Sequence, residues 1–392
     1  MIMSGPFLRL YLLTLFYFSA NAILNVVIPL KGESLGVSNT RIGIIMGVYL
    51  LTTMVCRPWA GYLIARYGPI QVLRIILTLN GLALLLYAFT DMNGYFAARI
   101  VQGICTAFFS MALQLSLIDA LPDEERSQGI SMYSLCSYLP GIIGPLLAIG
   151  MWNNGEGSLF AASMIVIACM TGVVGYTVRI RTQPVVDNVN SSSNAGITML
   201  RSMRQLVHNP NMARSSILML IASVIFGAVT AFMPLYAPRI HGGSAAIYLM
   251  IQAAVVVVIR FLFKSKMPSD GKWHSLFIAG ILLLQMSAAL CIGLAASLGV
   301  AVLYAGALLM GSAQALLYPT LTSYLSFVLP RNERSVLIGL FIAIADLGVA
   351  IGGIVMGPVA DHFSYSYMYL LCAVLSAGVL FIAFDRAVLR SH

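Results

Sequence analysis

The strongest constraint on this chain is a set of apolar runs, each about 20 residues long, that recur from one end to the other. As an α-helix rising about 1.5 Å per residue, a run of that length crosses the roughly 30 Å hydrocarbon core of a bilayer. Twelve membrane helices are expected, near residues 8–30, 42–64, 70–90, 94–119, 128–151, 158–178, 213–237, 244–263, 275–296, 299–327, 335–358 and 366–386. The short alternating pattern of a transmembrane β-barrel is absent, so helices, which satisfy their own backbone groups, are the remaining way to span lipid. The expected fold class is an all-α integral membrane protein. Composition agrees: 60% of the residues are hydrophobic and 9% charged, against about 25% charged in soluble domains. The first run is longer than the apolar core of a secretory signal and lacks a convincing cleavage site, so it is read as a membrane helix.

The net charge of +9 would suit a nucleic-acid partner if the positive residues clustered, but they follow topology instead. Placing the N-terminus inside puts sixteen of the 22 Lys and Arg residues on the cytoplasmic side. Three (Lys31, Arg41 and Arg239) then lie outside, and three (Arg57, Arg99 and Arg260) lie within spans. That asymmetry is the positive-inside pattern, so both termini are expected in the cytoplasm, on the inner face of the plasma membrane, and no nucleic-acid partner is expected. All six cysteines fall within apolar runs, which argues against disulfides and metal clusters. No cofactor is expected.

"LPDEERSQG" from Leu121 and "LPRNERSVLIG" from Leu329 share Leu, Pro, Glu, Arg and Ser at an offset of 208 residues. The same offset pairs Gly103 with Gly311 and Gly144 with Gly352. An offset of about half the chain indicates duplication, and six helices plus six related helices is the plan of many secondary transporters. The expected domains are an N-terminal bundle (1–180), a cytoplasmic linker (181–212) and a C-terminal bundle (213–392). Within the linker, "RTQPVVDNVNSSSNAG" is too polar to build a core. "ITMLRSMRQLVHN" has the spacing of an amphipathic helix on the inner leaflet, with an unstructured basic segment as the alternative.

Three motifs resemble the major facilitator superfamily. "RIVQG" (Arg99 to Gly103) is similar to its fourth-helix pattern of Arg followed by Gln-Gly, and "GIIGPLLA" (Gly141 to Ala148) to the fifth-helix Gly-Pro motif of its antiporters. There Gly144 permits close helix approach and Pro145 is expected to bend or loosen the helix. "GYLIARYG" (Gly61 to Gly68) resembles the loop motif between helices two and three, with gating roles implied for Gly61, Arg66 and Gly68. Ala65 stands where the family usually has Asp, so an inner-gate charge cluster has lost its acid and must latch differently. The stretches "FSANAILNVVIPL", "FFSMALQLSLIDALP", "PSDGKWH" and "YPTLTSYLSFVLP" narrow the resemblance to exporters of opine-type metallophores, the staphylopine exporter group. The resemblance implies two pseudo-symmetric six-helix bundles, a monomer in the lipid bilayer, a small-molecule substrate, and export in exchange for protons.

Ionisable residues at membrane depth are costly and usually functional. An opine carries several carboxylates, so its carrier should offer guanidinium forks and amides. Asn21 and Asn25, one turn apart on the first helix, with Arg57, Arg99, Gln102 and Gln114, are the candidate substrate-binding residues of the first half, and Gln252 and Gln314 those of the second. Arg99 is also a candidate for fixing its bundle or assisting proton coupling, and Arg57 and Arg260 for gating or snorkelling. Asp346 lies about 16 Å into its span, too deep to snorkel, and is the candidate proton carrier, with a static ion pair or helix-fixing bond as the alternative. The repeat offset sets Tyr138 opposite Asp346 and adds it to the candidates. Glu125 with Arg126 and Glu333 with Arg334 are expected as solvated caps, or as ion pairs that open and close with the inner gate. A membrane enzyme is disfavoured because no nucleophile elbow, phosphate loop or metal spacing is present, and a channel because no filter-like segment interrupts the duplicated helices. A proton-coupled multidrug exporter remains the alternative within transporters.

Overall fold

The computed structural model describes residues 5–121, 123–154, 157–178, 209–263, 268, 270–330 and 334–384. The amphipathic segment expected at 197–209 falls almost wholly outside these, as does Glu333. The helices are α1 (Gly5–Ser34), α2 (Asn39–Tyr67), α3 (Pro69–Phe89), α4 (Met92–Ala120), α5 (Asp123–Tyr138), α6 (Pro140–Asn153), α7 (Gly157–Thr177), α8 (Pro210–Tyr236), α9 (Ala245–Leu262), α10 (Ser275–Leu298), α11 (Val300–Val328), α12 (Arg334–His362) and α13 (Tyr365–Ala383). Among the described residues, twelve segments are long and apolar enough to cross a membrane, α5 and α6 together supplying one of them. Large apolar side chains cover their outer surfaces, with Leu276 82% and Phe381 84% exposed, which only a hydrocarbon solvent accommodates on this scale.

The fifth span is built from two helices, α5 and α6. Pro145 sits inside α6, and the joint falls at Leu139, between Tyr138 and Pro140. Pro140 has no N–H to give the preceding turn, so it opens a new helix at the position where a missing donor costs least. Elsewhere polar caps start the helices: Asn209 Oδ1 accepts from the amides of Asn211 and Met212, and Ser364 Oγ accepts from that of Tyr367.

The chain divides into two compact units, Met1–Ile28 with Val48–Thr198, and Pro29–Gly47 with Met199–His392. In the first, α3 packs on α4 and α7, and the core joins Leu10, Leu13 and Tyr17 of α1 to Leu73 and Leu77 of α3 and Phe109 and Leu113 of α4. In the second, α8 lies along α12, and α10 is flanked by α11 and α13. This unit also holds the start of α2, whose free amides are capped from α12. Asp361 Oδ1 accepts from the Asn39 amide at 2.8 Å, and its Oδ2 accepts from the Thr40 amide at 2.8 Å and the Thr40 hydroxyl at 2.6 Å.

Equivalent contacts recur in the two units at positions related by the repeat. A Cβ on Gly103 would strike the carbonyl of Tyr49 in α2, and one on Gly311 would lie 2.6 Å from the carbonyl of Gln252 in α9. A Cβ on Gly144 would lie 2.6 Å from that of Ala22 in α1, and one on Gly352 would strike the carbonyl of Val224 in α8. Without a hydrophobic force between helices in lipid, such backbone approaches supply dispersion contacts that hold a bundle together. Gly352→Ala is expected to cost about 1–3 kcal/mol through overpacking, read as a fall in thermal midpoint in detergent, while Gly150→Ala, with open space around it, leaves the midpoint in place. Asp361→Ala, which uncaps α2, is expected to cost about 0.5–2 kcal/mol in the same measurement.

Candidate functional site

Three helices of the first unit turn polar faces toward one another. Tyr17, Asn21 and Asn25 follow at intervals of four on α1, Arg99, Gln102 and Thr106 at intervals of three and four on α4, and Tyr49 comes from α2, so helical periodicity aligns each set. Arg99 is fully buried, and its guanidinium is held by amide oxygens. Nη1 donates to Asn21 Oδ1 at 2.7 Å and Gln102 Oε1 at 3.3 Å, and Nη2 donates to Asn25 Oδ1 at 2.8 Å. The Tyr87 hydroxyl donates to the same Gln102 oxygen at 3.1 Å, and Arg99 lies over the Tyr49 ring, 5.1 Å from its centroid. Four residues selected from the sequence, Asn21, Asn25, Arg99 and Gln102, are thus one network.

The network continues along the helices. The Thr106 hydroxyl is shared between the hydroxyls of Tyr17 at 2.9 Å and Tyr49 at 3.0 Å, and Tyr17 stacks on Phe109 at a centroid distance of 3.7 Å. Further along, buried Tyr133 interacts with Gln114 and lies within electrostatic reach of Arg57, Tyr49 and Tyr138. Tyr49 and Arg57, two turns apart on α2, therefore connect the Arg99 group to a second polar group about 12 Å along the helix axis.

The second unit carries a counterpart. Gln252 Nε2 donates to Gln314 Oε1 at 2.9 Å, at positions related to Tyr49 and Thr106 by the contacts of Gly311 and Gly103. Gln252 is buried, and its own Oε1 has no partner among the described residues. Asp346 is half-buried in mid-α12. Tyr318 of α11 stacks on Phe341 of α12, and Gln314 and Asp346 lie four and five residues from that pair, at about the same level along the two helices.

The sequence matches the Major Facilitator Superfamily over residues 10–292 and again over 271–390. It is 50% identical over 382 residues to the staphylopine export protein of Staphylococcus aureus (strain Mu50 / ATCC 700699), an alignment covering 97% of this chain and 96% of that one. An uncharacterized MFS-type transporter of Burkholderia mallei (strain SAVP1) is 24% identical over 88% of this chain and 83% of its own. Among solved structures, the nucleoside transporter NupG superimposes with a TM-score of 0.72 at 15% identity, covering 97% of this chain and 98% of that one. The human organic anion transporter MFSD10 gives a TM-score of 0.70 at 16% identity, covering 96% and 98%. The chain belongs to the Major Facilitator Superfamily. It is a multi-pass membrane transporter and not an enzyme.

Within this facilitator the motif residues have local partners. A Cβ on Gly61 would meet Met111 of α4 at 3.3 Å, and Gly68, at φ 82°, turns the chain from α2 into Pro69 of α3. Arg66 donates to the Tyr62 hydroxyl at 3.3 Å and lies over the Tyr67 ring. That hydrogen bond, with the two tyrosines nearby, holds its pKa above the usual guanidinium value. Arg66 therefore has aromatic partners where the family pattern would offer an acid. Arg260 falls in the last turn of α9, where a cation complements the helix dipole. Arg334 reaches the Leu329 carbonyl at 3.4 Å, while the side chains of Glu125 and Arg126 lie outside the described set.

Several partners were not selected from the sequence. Tyr17, Tyr49, Tyr87 and Tyr133 are aromatics that the sequence alone does not separate from packing residues; a search for hydroxyls in register with Arg99 on α4 would have found Thr106. The "PSDGKWH" stretch is pinned by its tryptophan: Trp273 Nε1 donates to the Ala383 carbonyl at 2.8 Å, and Arg214 lies 4.2 Å from its ring centroid. His274 bonds Asp270 at 2.8 Å and, with the Lys272 amide, holds that carboxyl below its usual range. Thr106→Val is expected to strand the buried Tyr17 hydroxyl and to cost about 1–3 kcal/mol, measured by thermal unfolding in detergent, while Tyr17→Phe combined with Thr106→Val recovers much of the loss.

Proposed function

We propose that this facilitator exports a small polar metallophore of the staphylopine-like opine class across the cytoplasmic membrane, by proton antiport and alternating access, with both termini in the cytoplasm. The observation that carries the reading is the 50% identity, over nearly the whole of both chains, to a protein named for staphylopine export.

The residue chemistry supports it. A ligand with several carboxylates calls for cationic and amide donors, and the polar face of the first unit is made of Arg99, Asn21, Asn25, Gln102, Gln114 and Arg57 rather than acids. Lipophilic cations, the alternative cargo, call for the reverse. Asp346 is the acid best suited to carry the proton: it sits in mid-membrane, where a carboxyl gains or loses its proton according to its partners and the side open to water. Gln252, Gln314 and Tyr138 complete the substrate-binding candidates. The Glu125–Arg126 and Glu333–Arg334 pairs remain candidate gate contacts, with Gly61, Arg66, Gly68, Gly144 and Pro145 as the motif positions on which the bundles rock.

The test compares metallophore retained in cells with metallophore released, in a strain lacking the protein and in strains complemented with the native chain or Asp346→Asn at matched expression. Deletion is expected to trap the metallophore, the native chain to release it, and Asp346→Asn to reduce release at least tenfold and abolish its dependence on the proton gradient. Unchanged secretion on deletion, together with new sensitivity to unrelated hydrophobic cations, would replace this reading with multidrug efflux.

A further inference from the structure

We propose that the atoms of the first unit that receive the substrate's carboxylates are the Nδ2 groups of Asn21 and Asn25, and that Arg99 is a positioning residue standing behind them. The proposal rests on the polycarboxylate reading of the cargo and specifies how it is held.

Arg99 has 0% of its surface exposed, so a ligand reaches the guanidinium only by displacing the amides that enclose it. The guanidinium has donors and no acceptor, so the side-chain atom facing it from each asparagine must be Oδ1. That removes the usual ambiguity between amide oxygen and nitrogen. With both oxygens committed to Arg99, at 2.7 and 2.8 Å, each Nδ2 points away from it. Both asparagines are half-buried, and among the described residues neither Nδ2 has a protein partner. Tyr87 and Arg99 both donate to the Gln102 oxygen, which fixes the guanidinium on its other side.

The result is two pairs of N–H donors one helical turn apart, about 5–6 Å along α1, each polarised by a buried positive charge on the far side of its amide. That spacing exceeds the separation of oxygens within one carboxylate, so the pair suits two carboxylates of one ligand. A carrier also gains from holding its charge one amide away: an anion in direct bidentate contact with a buried guanidinium would leave slowly, whereas an amide hydrogen bond strengthened by that charge selects anions and still releases them.

The decisive variants are Asn21→Asp and Asn25→Asp, tested in the full chain purified into nanodiscs. An aspartate has nearly the same shape and gives Arg99 a better acceptor, so the thermal midpoint is expected to hold or rise. The donor toward the ligand is lost and a like charge replaces it. Binding of staphylopine is expected to weaken about 10- to 100-fold for each variant, as for loss of a hydrogen bond to a charged group, and esterifying the ligand's carboxylates is expected to abolish binding to the native chain. Native-like binding by both variants, while Arg99→Lys abolishes it at an unchanged thermal midpoint, would overturn the proposal in favour of direct contact by Arg99. Iminodiacetate and nitrilotriacetate, as simple polycarboxylates, separate this inference from the functional reading. If the native chain binds them but not staphylopine, and both Asp variants lose them, the opine assignment falls and the amide site stands. If it binds none of the three, both fall.

Discussion

Everything in this structure depends on the absence of water to hydrogen-bond the backbone across most of its length. Each peptide group in hydrocarbon must be satisfied within the protein, which leaves helices and closed barrels, and the long apolar runs of this chain make its crossings helical. The same condition takes away the hydrophobic force between helices, since lipid tails are as apolar as leucine. What remains is close contact and a few well-placed polar bonds. The glycines at 103, 144, 311 and 352 serve the first, at positions where a methyl group would collide with a neighbouring helix. The networks around Arg99 and Gln252 serve the second.

A buried guanidinium in such a medium would be prohibitive alone, because the cost of stripping its water is far larger than any single neutral hydrogen bond returns. The first unit meets that cost by surrounding Arg99 with amide oxygens from α1 and α4 and the face of Tyr49 from α2. Three helices are thereby tied to one group within the membrane-spanning length of the unit. An arrangement that tight fixes side-chain direction as well as helix position. Once the amide oxygens are committed inward, the amide nitrogens have one way to face, so a structural solution to a desolvation problem also sets the direction of two pairs of N–H donors.

Much of the plan was legible in the order of residues. The number of crossings follows from run length against bilayer thickness, and Asn21, Asn25, Arg99 and Gln102 stood out because polar groups in apolar runs are expensive and therefore few. Two prolines lie within six residues of the fifth span, and only the position of the joint between α5 and α6 separates Pro140, which starts a helix, from Pro145, which a helix tolerates. Tyr17, Tyr49 and Tyr133 do not stand out in the sequence, because a tyrosine facing lipid, an interface or a buried hydroxyl looks the same in one dimension. Asp361 gave no sign of capping a helix 322 residues earlier in the chain.

By itself the sequence determined the solvent, the helix count, the internal repeat and the residue types available for a polar ligand, since each of these is a local or periodic property set by transfer energies along one strand of chain. Only the tertiary structure decided which of those residues meet, and which atom of each is turned toward the other. Arg99 and Asn25 are 74 positions apart, and their 2.8 Å bond exists because α1 and α4 pack side by side at that depth. Distances of that kind depend on how helices rotate and slide against one another, which is settled by the summed contacts of whole faces and cannot be read from any single segment.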